Sequence, residues 1–187
     1  MKRFVKLLFI PLAKIDAALP RTGTIYDVGC GEGVIANYIS RTSQRIIIGI
    51  DQDQARLKAG KLSSTSSNVT FVKSDIITHK YNRMNGCVIS DVLHHISKQS
   101  QRKLLQRISA AMKPGGVLVI KEINRSDMVL SKLSRLWDFV LYPKDTINYF
   151  SQAEIVSLLN SLNFKVVHKQ VHRLVPASIH LYICTKA

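Results

Sequence analysis

The fold of this chain is decided by a glycine-rich stretch near its start, Asp27-Val28-Gly29-Cys30-Gly31-Glu32-Gly33. It joins a short β-rich run, Thr24–Val28, to a segment with helical spacing, Gly33–Arg41. Glycines at such a junction let the backbone turn sharply and let a ligand approach without meeting a Cβ atom. The helix that follows presents N–H groups without partners in its first turn. The stretch therefore predicts a strand, a ligand-binding loop and a helix in succession.

Two other kinds of glycine-rich loop are excluded by the spacing. A dinucleotide-binding G-x-G-x-x-G loop would need a glycine at residue 34, where the chain has Val34; the third glycine comes one residue earlier, at Gly33. The G-x-x-x-x-G-K-[ST] pattern of phosphate-cradling loops is absent from the sequence. The spacing that the loop does have, from Asp27 to Gly33, is D-x-G-x-G-x-G.

Beyond the loop, apolar β-branched runs alternate with helical segments, a pattern typical of parallel βαβ units in a doubly wound sheet. The predicted strands are Arg45–Asp51, Val69–Lys73, Asn85–Ser90 and Val117–Ile123, and the predicted helices are Gln54–Leu62 and Lys98–Met112. We expect Pro114-Gly115-Gly116 to end the second of these helices.

The end of the chain departs from this alternation. A capping box, Ser151-Gln152-Ala153-Glu154, opens a last helix. The runs Lys165–Val171 and His180–Thr185 then follow with no helix between them, so we expect an antiparallel hairpin at the sheet edge. The predicted fold is therefore an α/β, doubly wound, mostly parallel, seven-stranded Rossmann-like sheet with an antiparallel C-terminal hairpin, in a single domain over residues 1–187.

Composition limits the class of protein. The chain has 187 residues, 46% of them hydrophobic, which excludes a disordered chain. It carries 27 Lys and Arg against 12 Asp and Glu, a net charge of +15. The basic residues are spread along the chain with no dedicated RNA-binding motif, so a basic solvated surface is favoured over a nucleic-acid site. An anionic partner, such as an acidic substrate or a phospholipid surface, stays open.

The three cysteines, Cys30, Cys87 and Cys184, are widely spaced and odd in number. They form neither a disulfide framework nor a zinc pattern. We therefore expect no metal site and a cytoplasmic protein.

Five further sequence features follow the glycine loop in order. Asp51 ends the second strand and Asp75 follows the third. Ser90-Asp91-Val92-Leu93-His94-His95-Ile96 follows the fourth strand, and Met112-Lys113-Pro114-Gly115-Gly116 follows the next helix. Phe150-Ser151-Gln152-Ala153-Glu154 comes later still. Over residues 20–187 the chain resembles class I S-adenosylmethionine (SAM)-dependent methyltransferases of the type 11 subfamily, which includes ubiquinone and menaquinone C-methyltransferases and many small-molecule O-methyltransferases.

The resemblance implies SAM as the cofactor. Asp51 would accept hydrogen bonds from the ribose hydroxyls, although it could instead cap the next helix, a role that Asp53 could equally fill. Asp75 would contact adenine, with a turn-forming aspartate as the alternative. Asp91 would orient the methionine amino group or a substrate. The cofactor-binding residues implied are Asp27, Gly29, Cys30, Gly31, Gly33, Asp51, Gln52, Asp75, Ile76, Asp91 and Val92.

Transfer of a methyl group to oxygen or carbon also requires removal of a proton, for which histidine is suited near neutral pH. His94 and His95 come at the carboxyl end of a central strand, where open α/β sheets bind ligands. We prefer His95, because Leu93 and Ile96 are expected to face the core. In the alternative interpretation both histidines are structural.

The sequence determines the substrate-binding part of the protein least. The apolar segment 124–150 is the usual substrate-facing insertion of the subfamily, and Trp137, Tyr142 and Tyr149 would line a lid there; simple packing is the alternative. Residues 1–20 predict an amphipathic helix that either packs on the domain or contacts an anionic membrane face. We expect a small or lipid-like substrate, methylated at oxygen or carbon. RNA or protein methylation, an inactive cofactor-binding subunit and an oligomer stay open.

Overall fold

One sheet of seven strands organises the part of the chain that the computed structural model describes, residues 10–41, 44–123, 151–171 and 179–187. The strand order is β3-β2-β1-β4-β5-β7-β6. Neighbours from β3 to β5 are parallel, and β7 runs antiparallel to both β5 and β6. The strands are β1 (Thr22–Val28), β2 (Gln44–Asp51), β3 (Val69–Lys73), β4 (Met84–Ser90), β5 (Met112–Ile123), β6 (Phe164–Val171) and β7 (Ile179–Lys186).

Three of the described helices begin where the side chain of the N-cap residue accepts a hydrogen bond from the first backbone N–H groups. Asp53 caps α3, Ser97 caps α4, and Ser151 forms the predicted capping box with Glu154. The described helices are α1 (Leu12–Ala18), α2 (Val34–Ile39), α3 (Gln54–Leu62), α4 (Lys98–Ala111) and α5 (Gln152–Ser161), with a short 3₁₀ turn at Leu93–His95.

The sheet carries a hydrophobic cluster on each face, because successive side chains of a strand point to opposite sides. Leu118 and Ile120 of β5 belong to the cluster covered by α4 and α5. Val119, between them, belongs to the cluster covered by α1 and α2. Central strands buried on both faces are what the predicted doubly wound sheet requires, and the predicted α/β class with its antiparallel C-terminal pair is confirmed.

One detail of the predicted fold was wrong. β5 begins at Met112 rather than Val117, because Met112 pairs with Met84 before the register shifts and Val117 pairs with Gly86. The Pro-Gly-Gly segment is thus an irregularity within the strand, with Gly115 at a φ of 73°. The C-terminal strands form the predicted antiparallel pair at the edge of the sheet, with β7 next to β5 and β6 outermost.

The first described helix is anchored by one buried arginine. The Arg45 side chain is fully buried; it donates to the carbonyl oxygens of Pro20 at 2.6 Å and Leu19 at 3.2 Å, and it pairs with the carboxylate of Asp16 in α1. Ile15 of α1 is fully buried as well. Residues 12–18 therefore pack on the domain, which is the first of the two arrangements predicted for the N-terminal segment. Within the described ranges, no helix has both the length and the apolar character needed to cross a membrane.

Candidate functional site

The glycine loop closes on β2 through backbone hydrogen bonds. The N–H groups of Gly29 and Cys30 both donate to the carbonyl oxygen of Ile50, at 2.8 and 2.9 Å. Gly29, Gly31 and Gly33 have φ values of 72°, 53° and 67°. These values lie in the left-handed region that favours glycine, so the loop conformation depends on the residue type at each of the three positions.

The three glycines differ in what surrounds them. A Cβ atom on Gly29 would lie 2.4 Å from the side chain of Val92, and one on Gly33 would lie 2.5 Å from the ring of Phe71. A Cβ on Gly31 would meet nothing closer than the Arg56 guanidinium, at 3.7 Å. A Cβ at Gly29 or Gly33 is therefore excluded by packing within the protein, whereas one at Gly31 would make only ordinary van der Waals contact with the end of a flexible side chain.

Asp51 lies at the end of β2, next to Gly31. Its Oδ2 accepts the N–H of Gly31 at 2.8 Å, and its Oδ1 accepts the N–H of Asp53 at 2.9 Å. Asp53, not Asp51, caps α3, by accepting the N–H groups of Ala55 and Arg56. The alternative role considered for Asp51, capping the next helix, is thus filled by Asp53. Because each carboxylate oxygen can accept two hydrogen bonds, Asp51 can still accept from ligand hydroxyls. Gln52 follows it and is exposed.

Asp27 is buried beneath the loop, with 2% of its surface exposed. Its Oδ2 accepts the N–H of Ala36 at 3.0 Å, which ties the end of β1 to α2. Burial raises the pKa of Asp27 to about 7; the neighbouring Asp51 acts in the same direction, and the Ala36 hydrogen bond acts against it. The carboxyl group therefore changes charge close to neutral pH.

Asp75 follows β3 and is exposed. Its Oδ1 accepts the N–H groups of Ile77 at 2.6 Å and Thr78 at 3.3 Å, so it forms the turn that was the alternative to an adenine contact. Ile76 is partly buried against the α4 side of the core. These turn hydrogen bonds use only Oδ1 of Asp75, and the contact with adenine stays a prediction.

Asp91 directly follows β4 and has a φ of 55°, a left-handed conformation that is costly for a residue other than glycine. Its N–H donates to the carbonyl oxygen of Lys121 at 3.0 Å, and the Lys121 ammonium donates to its Oδ1 at 2.5 Å. The Lys121 side chain is only 3% exposed. Strained residues that the surroundings hold in place are frequent at functional sites. Here a buried cation balances the charge of Asp91.

The two histidines follow in the 3₁₀ turn and have different surroundings. His94 is buried, and its Nδ1 lies 2.6 Å from Oε2 of Glu122. Oε1 of Glu122 accepts the N–H groups of Val92 at 3.0 Å and Leu93 at 2.8 Å. His95 is partly exposed, and its ring centroid lies 4.1 Å from that of His94. The expectation that Leu93 faces the core is met, since it is fully buried.

Sequence reasoning missed three residues that hold this turn: Lys121, Glu122 and Gln101. Gln101 is fully buried in α4, and its Nε2 donates to the carbonyl oxygens of Leu93 at 2.7 Å and Ile96 at 3.2 Å. Lysine and glutamate are almost never buried unless they are paired. The Lys-Glu pair at the end of the apolar strand β5 was therefore a readable signal in the sequence.

All these groups lie near the carboxyl ends of the parallel strands, which is where ligands bind in open α/β folds. Trp137, Tyr142, Tyr149 and the rest of segment 124–150 lie outside the described residues. The acidic residues near these carboxyl ends, in strand order from β3 to β5, are Asp75, Asp51, Asp27, Asp91 and Glu122.

Comparison with known proteins decides the family. A family model described as a methyltransferase domain matches residues 1–169. The chain belongs to the methyltransferase domain family. The predicted resemblance to class I SAM-dependent methyltransferases is thereby confirmed, and SAM is the cofactor. The glycine loop, with the Asp51 carboxylate accepting the N–H of Gly31 at the carboxyl end of β2, fits a nucleoside-bearing cofactor.

Two curated relatives illustrate the similarity. A carboxy-S-adenosyl-L-methionine synthase of Desulfotalea psychrophila is 26% identical over 180 residues, covering 80% of this chain and 71% of the relative. A ubiquinone biosynthesis O-methyltransferase of Rhodopseudomonas palustris is 26% identical over 103 residues, covering 54% of this chain and 40% of the relative. The chain therefore spans less than half the length of the ubiquinone enzyme.

A solved structure supports the fold. Magnesium protoporphyrin IX methyltransferase from Synechocystis, with S-adenosylhomocysteine (SAH) bound, aligns with a TM-score of 0.76 at 13% identity. The alignment covers 94% of this chain and 82% of that one.

Proposed function

We propose that this methyltransferase transfers the methyl group of SAM to oxygen or carbon of a small or lipid-like molecule. The observation that carries the proposal is the position of His94 and His95, in the turn that follows Val92, whose side chain packs on Gly29 of the glycine loop. We infer that the imidazole groups face the same site as the loop. An oxygen or carbon nucleophile must lose a proton during transfer, and imidazole is the side chain suited to accept it near pH 7.

In this proposal the cofactor supplies a methyl group on a cationic sulfur, and the chain supplies binding and alignment. Asp51 accepts the ribose hydroxyls, and the backbone around Gly31 borders the cofactor. Asp75 and Ile76 lie at the adenine end. Asp91, fixed by Lys121, faces the methionine end.

The names of the relatives support a small substrate, since carboxy-SAM synthase and ubiquinone O-methyltransferase both name small molecules. Segment 124–150, with Trp137, Tyr142 and Tyr149, is proposed to cover an apolar acceptor. The net charge of +15 favours an acceptor or surface that is anionic.

Cofactor binding is tested by isothermal titration with SAH and with its analogue lacking the ribose 2′-hydroxyl. Asp51→Asn should weaken binding of SAH about tenfold, as expected for loss of a hydrogen bond to a charged group. It should weaken binding of the deoxy analogue much less. Asp53→Ala is the matched control: it removes the neighbouring carboxylate and the α3 cap, and SAH affinity should stay within threefold. Equal losses for SAH and its analogue would contradict the ribose contact.

The acceptor class is tested with methyl-labelled SAM and fractionated cell extract. Label in the small-molecule or lipid fraction supports the proposal. Label confined to RNA or to protein would replace it with methylation of that macromolecule. Binding of SAH with no label in any fraction would instead indicate an inactive cofactor-binding subunit.

A further inference from the structure

Two adjacent residues of β5 hold the turn after β4 from opposite faces of the sheet. Lys121 and Glu122 alternate sides, as successive residues of a strand must. Lys121 binds the carboxylate of Asp91 at the start of the turn, and Glu122 binds His94 within it. The position of His94 is therefore determined by a neighbouring strand as well as by its own turn.

The Glu122 carboxylate receives three hydrogen bonds, and this decides how the His94 ring is protonated. Its Oε1 accepts the N–H groups of Val92 and Leu93, at 3.0 and 2.8 Å. Its Oε2 lies 2.6 Å from Nδ1 of His94. A carboxylate can only accept, so Nδ1 donates. In a neutral imidazole the second nitrogen, Nε2, then carries the lone pair.

We propose that Glu122 is a positioning residue and that His94, rather than His95, accepts the proton during methyl transfer. The proposal rests on the proposed function and is stated for an acceptor that carries a hydroxyl group. In the step, the acceptor O–H bond breaks and its proton goes to Nε2 of His94. The O–CH₃ bond forms as the S–CH₃ bond breaks, and the sulfur keeps the bonding electrons to become the neutral thioether of SAH.

A base oriented by a third group is a recurrent arrangement in catalysis, because the orienting group selects the tautomer and stabilises the protonated ring. Glu122 is placed for both tasks, since it is only 6% exposed and its interaction with His94 is little screened by water. His95 is the next residue along the chain, and its ring lies beside that of His94 at an interplanar angle of 45°.

The tautomer is measured directly, by long-range ¹H–¹⁵N NMR of the imidazole nitrogens at pH 8 in the SAH-bound protein. In the wild type we expect His94 to carry its proton on Nδ1. In Glu122→Gln, the side-chain amide can donate to Nδ1, so the proton should move to Nε2. A wild-type His94 protonated on Nε2, or on both nitrogens, would overturn the proposal, and so would an unchanged tautomer in Glu122→Gln.

Gln101→Met is the matched control for a purely structural role. It removes two hydrogen bonds that support the same turn from the other side, but it leaves Glu122 and His94 in contact. We expect it to keep the wild-type tautomer. If Glu122→Gln does not fold, the wild-type tautomer together with Glu122→Asp, which retains the carboxylate, still decides the question.

The kinetic test uses the labelled acceptor fraction from cell extract. Glu122→Gln and His94→Ala should lower kcat by at least about 10²-fold, the usual contribution of a general base, with KM and SAH affinity within threefold. His95→Ala and Gln101→Met should lower kcat less than tenfold. A larger loss in His95→Ala than in His94→Ala would overturn the assignment of the base. If no fraction is labelled, the proposed function fails, while the tautomer still decides the orienting role of Glu122.

Discussion

Asp27 makes the stability of this protein depend on pH in a way that one substitution should remove. Its carboxyl group is buried under the glycine loop, and burial raises its pKa from 3.8 to about 7. The folded state therefore keeps the proton in a pH range where the unfolded chain has lost it. Stability falls as pH rises from 4 to 7, because the unfolded state is the one that gains from ionisation.

The size of the effect follows from the two pKa values. One pKa unit corresponds to about 1.4 kcal/mol, so the full difference amounts to about 4 kcal/mol above pH 7. Between pH 5 and pH 8 the loss is about 2–3 kcal/mol. Asp27→Asn has nearly the same shape, can still accept the N–H of Ala36 through its side-chain oxygen, and does not ionise. The free energy of unfolding of this variant should exceed that of the wild type by an amount that grows by about 2–3 kcal/mol from pH 5 to pH 8.

Urea unfolding at pH 5, 6, 7 and 8 measures the difference, and a constant offset caused by the substitution cancels in the comparison. Asp53→Asn is the control, because Asp53 is exposed and asparagine can also cap a helix. Its offset from the wild type should vary by less than about 0.5 kcal/mol over the same range. Parallel pH dependences for the wild type and Asp27→Asn would refute the reasoning that burial controls this carboxyl group.

Three further outcomes are expected. Arg45→Met should lower the free energy of unfolding in urea by about 3–5 kcal/mol, because the carboxylate of Asp16 loses its buried partner. The exposed control Arg41→Met should lower it by less than about 0.5 kcal/mol, and equal losses for the two variants would contradict the anchoring role of Arg45. Gly33→Ala should cost at least about 1 kcal/mol more than Gly31→Ala in the same assay, because only the Gly33 Cβ meets a phenylalanine ring of β3; the reverse order would refute this. Burial raises the pKa of the Cys30 thiol well above its usual range, so the native protein should not react with a disulfide reagent at pH 7.5, whereas the urea-unfolded chain should react; a fast native reaction would contradict this assignment.

Much of the candidate site follows from sequence because it depends on local rules. The glycine spacing around Gly31, and Asp51 at the end of the next strand, needed only a strand–loop–helix pattern and the parallel order of the strands. The choice between Asp51 and Asp53 as the α3 cap could not be made that way. The residues are two positions apart, and only the direction of each carboxylate separates them.

The sequence by itself thus determined the α/β class, the positions of nearly all strands and helices, the family and the glycine loop between β1 and α2. These depend on periodicity and on residue types at fixed spacing along the chain. Only the tertiary structure decided that β7 lies inside the sheet, that Lys121 and Glu122 hold the turn after β4, and that His94 contacts the carboxylate of Glu122. Glu122 and His94 are 28 residues apart, so their contact depends on the pairing of β4 with β5 rather than on any local pattern.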